Sequence, residues 1–165
     1  MKQVKIFSVL LFVFFSFSLQ AQKIPVADLY RILDMATMDI KAYLKDKGYT
    51  LSQSDSSSTA SSWYFTAMEK KDTMIYSFRS VTLMETSFKK FEGRLIAYRT
   101  YIPEEHGEIM AYLSANGFVL GDSYKTNDGE EFFYRAKDRK VHYTIATNKR
   151  EDGRLLKSYT IEIGN

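Results

Sequence analysis

The chain has 165 residues, with 23 basic and 20 acidic side chains and no cysteine. Without cysteine it can form neither disulfide bonds nor a thiol site, so packing alone must stabilise it. The small basic excess, with no lysine- or arginine-rich run after the first 21 residues, argues against a nucleic-acid partner.

Residues 1–21 have the layout of a secretory signal peptide. Lys2 and Lys5 precede an uncharged, largely apolar run from Ile6 to Leu19, and Ala21 suits the residue before a cleavage site. The run is short for a bilayer span, although an uncleaved anchor is the alternative. Without cysteine, lipid attachment at the cleavage site is excluded. We expect an exported protein, periplasmic or secreted, that begins near Gln22 and has no membrane span after cleavage.

The first half of the remaining chain predicts one helix followed by four strands. Apolar residues at steps of three and four predict an amphipathic helix of about 22 residues, which begins at Ile24-Pro25 and ends at Gly48. The serine-rich stretch Ser52–Ser62 is interpreted as a solvated loop, and Thr82–Glu92 as a short helix or a strand extension. The predicted strands are 49–54, 62–69, 73–80 and 93–101.

The second half repeats this order. A shorter helix is predicted from Ile102-Pro103 to Gly117, with two glutamates in its first turn that suit the helix dipole. The strands predicted after it are 118–124, 130–137, 140–147 and 154–163.

The two halves also resemble each other in sequence. AYLKDKGYTL at 42–51 matches AYLSANGFVL at 111–120, and WYF at 63–65 matches FFY at 132–134 at the same spacing. Shorter spacings of 67 and 60 residues match the later strands, with the changes falling in turn-like stretches. We therefore predict an α+β fold made by internal duplication of a helix plus a four-stranded antiparallel sheet. Repeat 1 covers 22–101 and repeat 2 covers 102–165.

Candidate catalytic and metal-binding residues are few. His106 lies near Glu104, Glu105 and Glu108, which are ligand types that a metal prefers, but neighbouring residues of a helix point in different directions. We interpret this cluster as a solvated helix start, and His142 as a surface residue of a strand. No nucleophile elbow or glycine-rich phosphate loop occurs. The sequence therefore predicts no catalytic residue, no metal site and no cofactor.

Alternation along the strands sorts the side chains onto two faces of the sheet. One face is assigned to the helix-packed core, and it includes Trp63, Phe65, Tyr143 and Leu155. The other face mixes aromatic, aliphatic and arginine side chains, a composition typical of binding surfaces. An alternative is that this face packs against the other repeat or a second subunit. Its residues are Tyr64, Ile75, Arg79, Ile96, Tyr98, Phe133, Arg135, His142 and Leu156.

A tandem pair of such units resembles the β-lactamase inhibitor protein architecture. The matching features are the helices ending at Gly48 and Gly117 and the aromatic strands at 63–65 and 132–134. The resemblance implies binding of a target protein on the surface that the sheets form. The chain departs from that inhibitor in lacking cysteine, so no binding residue is transferred. The leader and the tyrosine- and lysine-rich strands also resemble secreted proteins of the Bacteroidetes.

The predicted function is that of an exported, non-enzymatic protein-binding module, an inhibitor or immunity protein that acts through its exposed sheet face. Its partner is another protein, and we expect a monomer. One alternative is a small envelope hydrolase that uses the acids around His106. The other is a structural or accessory subunit of an envelope complex, with the same face buried in the assembly.

Overall fold

A computed structural model of the protein describes residues 22–164, apart from residues 72, 73, 89, 90 and 150–152. The side chains of 69–77 and 88–91 are likewise outside the description. The predicted signal peptide and its cleavage site precede the described residues, so they stay predictions.

The described residues form three helices and eight strands. The helices are α1 (Val26–Leu33), α2 (Thr37–Asp46) and α3 (Pro103–Ala115). The strands are β1 (Thr50–Ser56), β2 (Ala60–Lys71), β3 (Met74–Phe88), β4 (Phe91–Thr100), β5 (Val119–Thr126), β6 (Gly129–Ala136), β7 (Arg139–Lys149) and β8 (Leu155–Gly164).

All eight strands belong to one antiparallel sheet, which confirms the predicted α+β class. The strand order is β1-β2-β3-β4-β8-β7-β6-β5, so the two edges are β1 and β5. The halves of the chain meet where β4 pairs with β8, with Tyr98 opposite Ile161 and Thr100 opposite Tyr159. The sheet is therefore continuous across the predicted repeat boundary.

The order of the strands is symmetric about the β4–β8 pair. The two edge strands also carry a bulge at corresponding points, between Leu51 and Gln53 in β1 and between Leu120 and Asp122 in β5. These features are what a duplicated unit would produce, but they do not establish common descent. The duplication stays a prediction.

Glycine ends two of the helices as predicted. Gly48 and Gly117 have φ angles of 83° and 72°, in the left-handed region that favours glycine. The following amides bond back into the helix, from Tyr49 to the Leu44 carbonyl and from Phe118 to the Leu113 carbonyl. Each helix therefore closes with the bonding pattern of a Schellman motif, and the chain then enters an edge strand.

The prediction of one long first helix was wrong, because the chain breaks between α1 and α2. Ala36 has an extended backbone, with φ of −64° and ψ of 145°. The Arg94 guanidinium, on β4, donates hydrogen bonds to the carbonyls of Leu33 and Met35 at 2.7 and 2.6 Å. These carbonyls would otherwise continue the helix, so a distant arginine stabilises the break.

Two segments that were not clearly predicted as strands are mostly strand in the structure. Of the two interpretations of Thr82–Glu92, the strand extension agrees with β3, which runs to Phe88. The serine-rich stretch was predicted as a loop, but it forms most of the β1–β2 hairpin, with the turn near Ser57–Thr59. The serines act locally in the turn, where the Ser57 hydroxyl accepts hydrogen bonds from the backbone amides of Thr59 and Ala60.

A single hydrophobic core lies between the helices and one face of the sheet. Leu29, Ile32, Ile40 and Leu44 from the first two helices are fully buried, and Leu113 of α3 is nearly so. In the strands, every second side chain points toward the helices and joins this core. The buried strand residues in this cluster are Phe65, Ala67, Val81, Leu83, Ile96, Tyr98, Val141, Tyr143, Tyr159, Ile161 and Ile163.

A buried ion pair lies inside this core and joins α3 to the sheet. Glu105 is 5% exposed, and its Oε1 accepts hydrogen bonds from two nitrogens of Arg79, with the Nε distance 2.8 Å. Its Oε2 accepts the Tyr98 hydroxyl at 2.6 Å. Burial, together with the neighbouring Tyr49 and Glu105, raises the pKa of Tyr98 far above its ordinary value. The phenol therefore remains a hydrogen-bond donor throughout the physiological pH range.

Removal of the Glu105 charge should destabilise the fold strongly. We expect Glu105→Gln to lower the free energy of unfolding by about 3–5 kcal/mol, because it leaves the charge of a buried arginine without this carboxylate. The matched control is Glu108→Gln on the same helix, which breaks only the exposed pair with Lys23 and should cost about 1 kcal/mol or less. Urea unfolding at neutral pH measures both, and equal midpoints would contradict the account.

The Arg94 site should make stability depend on pH. Burial alone would raise the pKa of Glu85, but hydrogen bonds from Thr37 and Arg94 and the Arg94 charge lower it overall. A lowered folded-state pKa stabilises the protein above the unfolded-state value, about pH 4.3 for glutamate, and this contribution is lost as the pH falls.

The destabilisation caused by Glu85→Gln should therefore be present at pH 7 and shrink progressively below about pH 4.3. Urea unfolding across this range measures it. The control is Glu104→Gln, an exposed site on α3. A Glu85→Gln effect that is constant with pH would contradict the assignment.

Candidate functional site

The face of the sheet opposite the helices is here called the open face. No described helix packs against it, since the buried residues of all three helices belong to the single core on the other face. An uncovered antiparallel face is normally solvated and polar. The open face differs from this expectation in two places, one aromatic and one hollow.

An aromatic row crosses the open face on the β5, β6 and β7 strands. The rings of Phe133 and His142 are stacked with centroids 4.5 Å apart, and Tyr124 meets Phe133 edge-on at 5.7 Å. The strand register places Phe133 opposite His142 and next to Asp122 on β5. Tyr124 is 58% exposed, so the row presents apolar surface to the solvent.

His142 is held between two carboxylates. Its Nδ1 lies 2.9 Å from Glu162 Oε2 and its Nε2 lies 3.2 Å from Glu131 Oε2. Together with the stacking on Phe133, these contacts fix the orientation of the ring. The site is therefore a rigid platform, which lowers the entropic cost of binding.

A hollow of about 110 Å³ lies beside this row, at the centre of the sheet. It is here called the central hollow, and it spans β4, β8 and β7. Its floor is made of small side chains on the middle strands, where Ser158 and Thr160 are only 2% and 6% exposed although none of the three described helices covers them. The lining residues are Arg99, Thr144, Ala146, Asn148, Ser158, Thr160 and Glu162.

Five of the nine residues predicted for the binding face lie on the open face. Tyr64, Phe133, His142 and Leu156 are partly buried there, and Arg135 is exposed, 3.8 Å from Asp122. The aromatic row and the arginine therefore occur together, as the composition predicted.

The assignment of Arg79, Ile96 and Tyr98 to this face was wrong. Ile96 and Tyr98 are 0% and 1% exposed in the core under the helices, and Arg79 is paired there with Glu105. Conversely Leu155, predicted for the core, is 71% exposed. The side chain of Ile75 lies outside the described residues, so its assignment stays a prediction.

These faces were inverted because the predicted spacing between equivalent residues of the two halves was wrong by an odd number of residues. Matching strands by the EGRL and DGRL motifs aligned Leu95 with Leu155. In the sheet, Leu83 of β3 pairs with Ile96 and the equivalent Tyr143 of β7 pairs with Ile161, so Ile96 corresponds to Ile161, a spacing of 65 rather than 60. In β3, the residue that faces Phe65 is Val81, and in β7 the residue that faces Tyr134 is Val141, a spacing of 60 rather than 67. Both errors are odd numbers of residues, which inverts the face.

The acids around His106 do not converge. The Glu105 carboxylate is bonded to Arg79 and Tyr98. Glu108 pairs with Lys23, and Glu104 is exposed. The prediction of a solvated helix start was wrong for His106, whose ring is stacked 4.7 Å from Tyr159 and bonded to the Tyr143 hydroxyl at 2.6 Å. Burial and the nearby Lys157 lower its pKa. This histidine therefore packs α3 against the sheet.

Two further cavities lie away from the open face. One of about 170 Å³ is lined by residues 23–26 and by α3, with Tyr98 and Glu105 among its walls. The other, about 630 Å³, lies beside the serine-rich hairpin and reaches Glu85 and Arg94. In the smaller cavity Glu105 and Glu108 are paired with Arg79 and Lys23, and in the larger one Glu85 is paired with Arg94.

Sequence reasoning missed the residues of the central hollow. In β8, Ser158, Thr160 and Glu162 alternate with Tyr159, Ile161 and Ile163. This strict period of two identifies the inward and outward sides of the strand. The signal was present, but it does not reveal that Arg99 of β4 would lie beside Thr160, since strand pairing is not visible in a single strand.

Comparison with known proteins finds no match to any protein family, curated protein or solved structure. Within the described part of the chain, no helix is both long and apolar enough to cross a membrane. The same part contains no group of three histidine, aspartate or glutamate residues arranged to hold a metal ion.

The two faces should respond differently to the same substitution. We expect Tyr98→Ser to destabilise the protein by about 3–5 kcal/mol, because it opens a cavity in the core and removes the hydroxyl bond to Glu105. Phe133→Ser on the open face should cost about 1 kcal/mol. Thermal and urea unfolding measure the difference, and a larger loss for Phe133→Ser would invert the assignment of the faces.

Proposed function

We propose that the protein is an exported, non-enzymatic module that binds another protein through the open face. The observation that carries the proposal is the aromatic row of Tyr124, Phe133 and His142, held rigid on an uncovered sheet. Rigid aromatic side chains provide large contact area at low entropic cost, and they dominate the binding energy of many interfaces.

Several features support this proposal. Helices cover the other face, so the open face is where a broad surface remains for a partner. Arg99 and Arg135 add arginine, which is enriched in interfaces, beside the aromatic row. The resemblance to the β-lactamase inhibitor architecture points to the same kind of surface, and the internal duplication and the signal peptide belong to the same proposal.

Two sets of substitutions test which face binds. The full chain is expressed with its leader in a bacterium with an envelope, and partners are captured by crosslinking and affinity purification. We expect Tyr124→Ser with Phe133→Ser to reduce capture of the wild-type partner at least about tenfold, because loss of hot-spot aromatic groups costs 2 kcal/mol or more.

The matched control replaces exposed apolar residues outside the open face, Met38→Ser with Leu155→Ser, which are 73% and 71% exposed. This control should capture the partner as well as the wild type. Equal capture by the open-face variant, or loss in the control alone, would contradict the proposal. A purified protein that self-associates through Tyr124 and Phe133 would instead indicate a structural subunit.

A further inference from the structure

The central hollow presents hydrogen-bond donors to its interior. The Thr160 hydroxyl accepts from Arg99 Nε at 3.1 Å, and the Ser158 hydroxyl accepts from Asn148 Nδ2 at 3.2 Å. A hydroxyl that accepts in this way keeps its own proton for donation. Among the described residues, neither proton has an acceptor.

Arg99 adds a positive charge on one side of the hollow. Arginine has five N–H donors, of which only Nε is used in the contact with Thr160. In the described part of the chain, no carboxylate forms an ion pair with Arg99, whereas Arg79, Arg94 and Arg135 each have one. Its guanidinium is therefore available to a ligand that brings its own negative charge.

Glu162 also borders the hollow, on the opposite side of the central strand. Its Oε2 is bonded to His142 of β7, whereas Arg99 belongs to β4 on the other side of β8. The Ser158 hydroxyl is bonded to Asn148 of β7, on the Glu162 side, whereas Arg99 and the Thr160 hydroxyl lie together on the β4 side of the hollow. An acceptor group of the ligand would bind on that side.

The size of the hollow limits what can enter it. Its volume of about 110 Å³ corresponds to roughly three or four water molecules. That is room for a carboxylate with one or two methylene groups. On a surface proposed to bind a protein, such a group arrives as the side chain of an aspartate or a glutamate.

We propose that the protein partner inserts an aspartate or glutamate side chain into the central hollow, where Arg99 pairs with its carboxylate and the Thr160 hydroxyl donates to it. This inference rests on the proposed function and adds the chemistry of the partner. Arginine binds carboxylates through two parallel hydrogen bonds, so the hollow specifies both charge and geometry.

A titration with small probes tests the chemistry of the hollow. N-acetylglutamate N-methylamide, its glutamine counterpart and sodium acetate are added separately to the protein, and the methyl NMR signals of Thr144, Ala146 and Thr160 are followed. We expect these signals to shift with the blocked glutamate and not with the glutamine, and affinity to fall as salt rises.

Variants then assign the effect to Arg99. Arg99→Gln should weaken binding of the blocked glutamate about tenfold to a hundredfold, as for loss of a charged hydrogen bond, and Arg99→Lys should weaken it less. The matched control is Arg31→Gln, an exposed arginine of α1 on the helical side, which should bind as the wild type does. Equal shifts with the glutamine probe, or full binding by Arg99→Gln, would overturn the inference. Acetate binding as tight as the blocked glutamate, with partner capture unaffected by Arg99→Gln, would indicate a site for free carboxylates instead.

The capture experiment separates this inference from the proposed function. If Arg99→Gln and the double variant Tyr124→Ser with Phe133→Ser both fail to capture the partner, the proposed function and the carboxylate inference are both supported. If only the aromatic variant loses it, the open face binds but the carboxylate inference fails. If neither loses it, or the wild type captures nothing, the proposed function fails, and the probe titration still decides whether the hollow takes a carboxylate.

Discussion

The buried ion pair between Arg79 and Glu105 is the constraint on which the arrangement of the molecule depends. It connects the first turn of α3 to β3, and the Tyr98 hydroxyl extends it to β4. Tyr49 lies beside this group, and its hydroxyl donates to the carbonyl of Gln22, which ties the start of the described chain to the same place. A buried charge pair tolerates little displacement, because separation would leave both charges in a low-dielectric interior. The helical layer is therefore fixed to one face of the sheet.

A second polar contact acts on the same layer at its other end. Arg94 bonds the carbonyls at the break between α1 and α2, and Glu85 and Thr37 complete the group. Two arginines on neighbouring strands thus position all three helices on one side of the sheet. The consequence is an open face that none of these three helices covers, on which the aromatic row and the central hollow are exposed together.

Much of this fold could be predicted from the sequence, because its signals are local. Gly48 and Gly117 end helices through a backbone conformation that favours glycine, and the strands follow from alternation. Non-local information was missing. The face of Tyr98 and Ile96 depends on the register between distant strands, and an odd shift inverts it. The break after Leu33 depends on Arg94, which is 61 residues away. Apolar residues before and after the break keep a helical period, so nothing in that pattern reveals it.

The residues of the candidate site likewise divide into those that the sequence reveals and those that it does not. Phe133, His142 and Arg135 were identified because aromatic and basic residues on one strand face are a compositional signal. Arg99, Ser158 and Thr160 were missed because their importance comes from adjacency across three strands. Small hydroxyl side chains on a strand ordinarily indicate only solvent exposure. Here they are buried between longer neighbours, and this burial makes them fixed donors.

The central claim is that a partner covers the open face and leaves the helical side uncovered. Hydroxyl-radical footprinting of the full chain, with and without the captured partner, tests it directly at side chains on both sides. The account predicts that the partner protects Tyr124 and Phe133 on the open face and leaves the oxidation of Met38 and Leu155 unchanged. Protection of Met38 without protection of Tyr124 and Phe133 would contradict it.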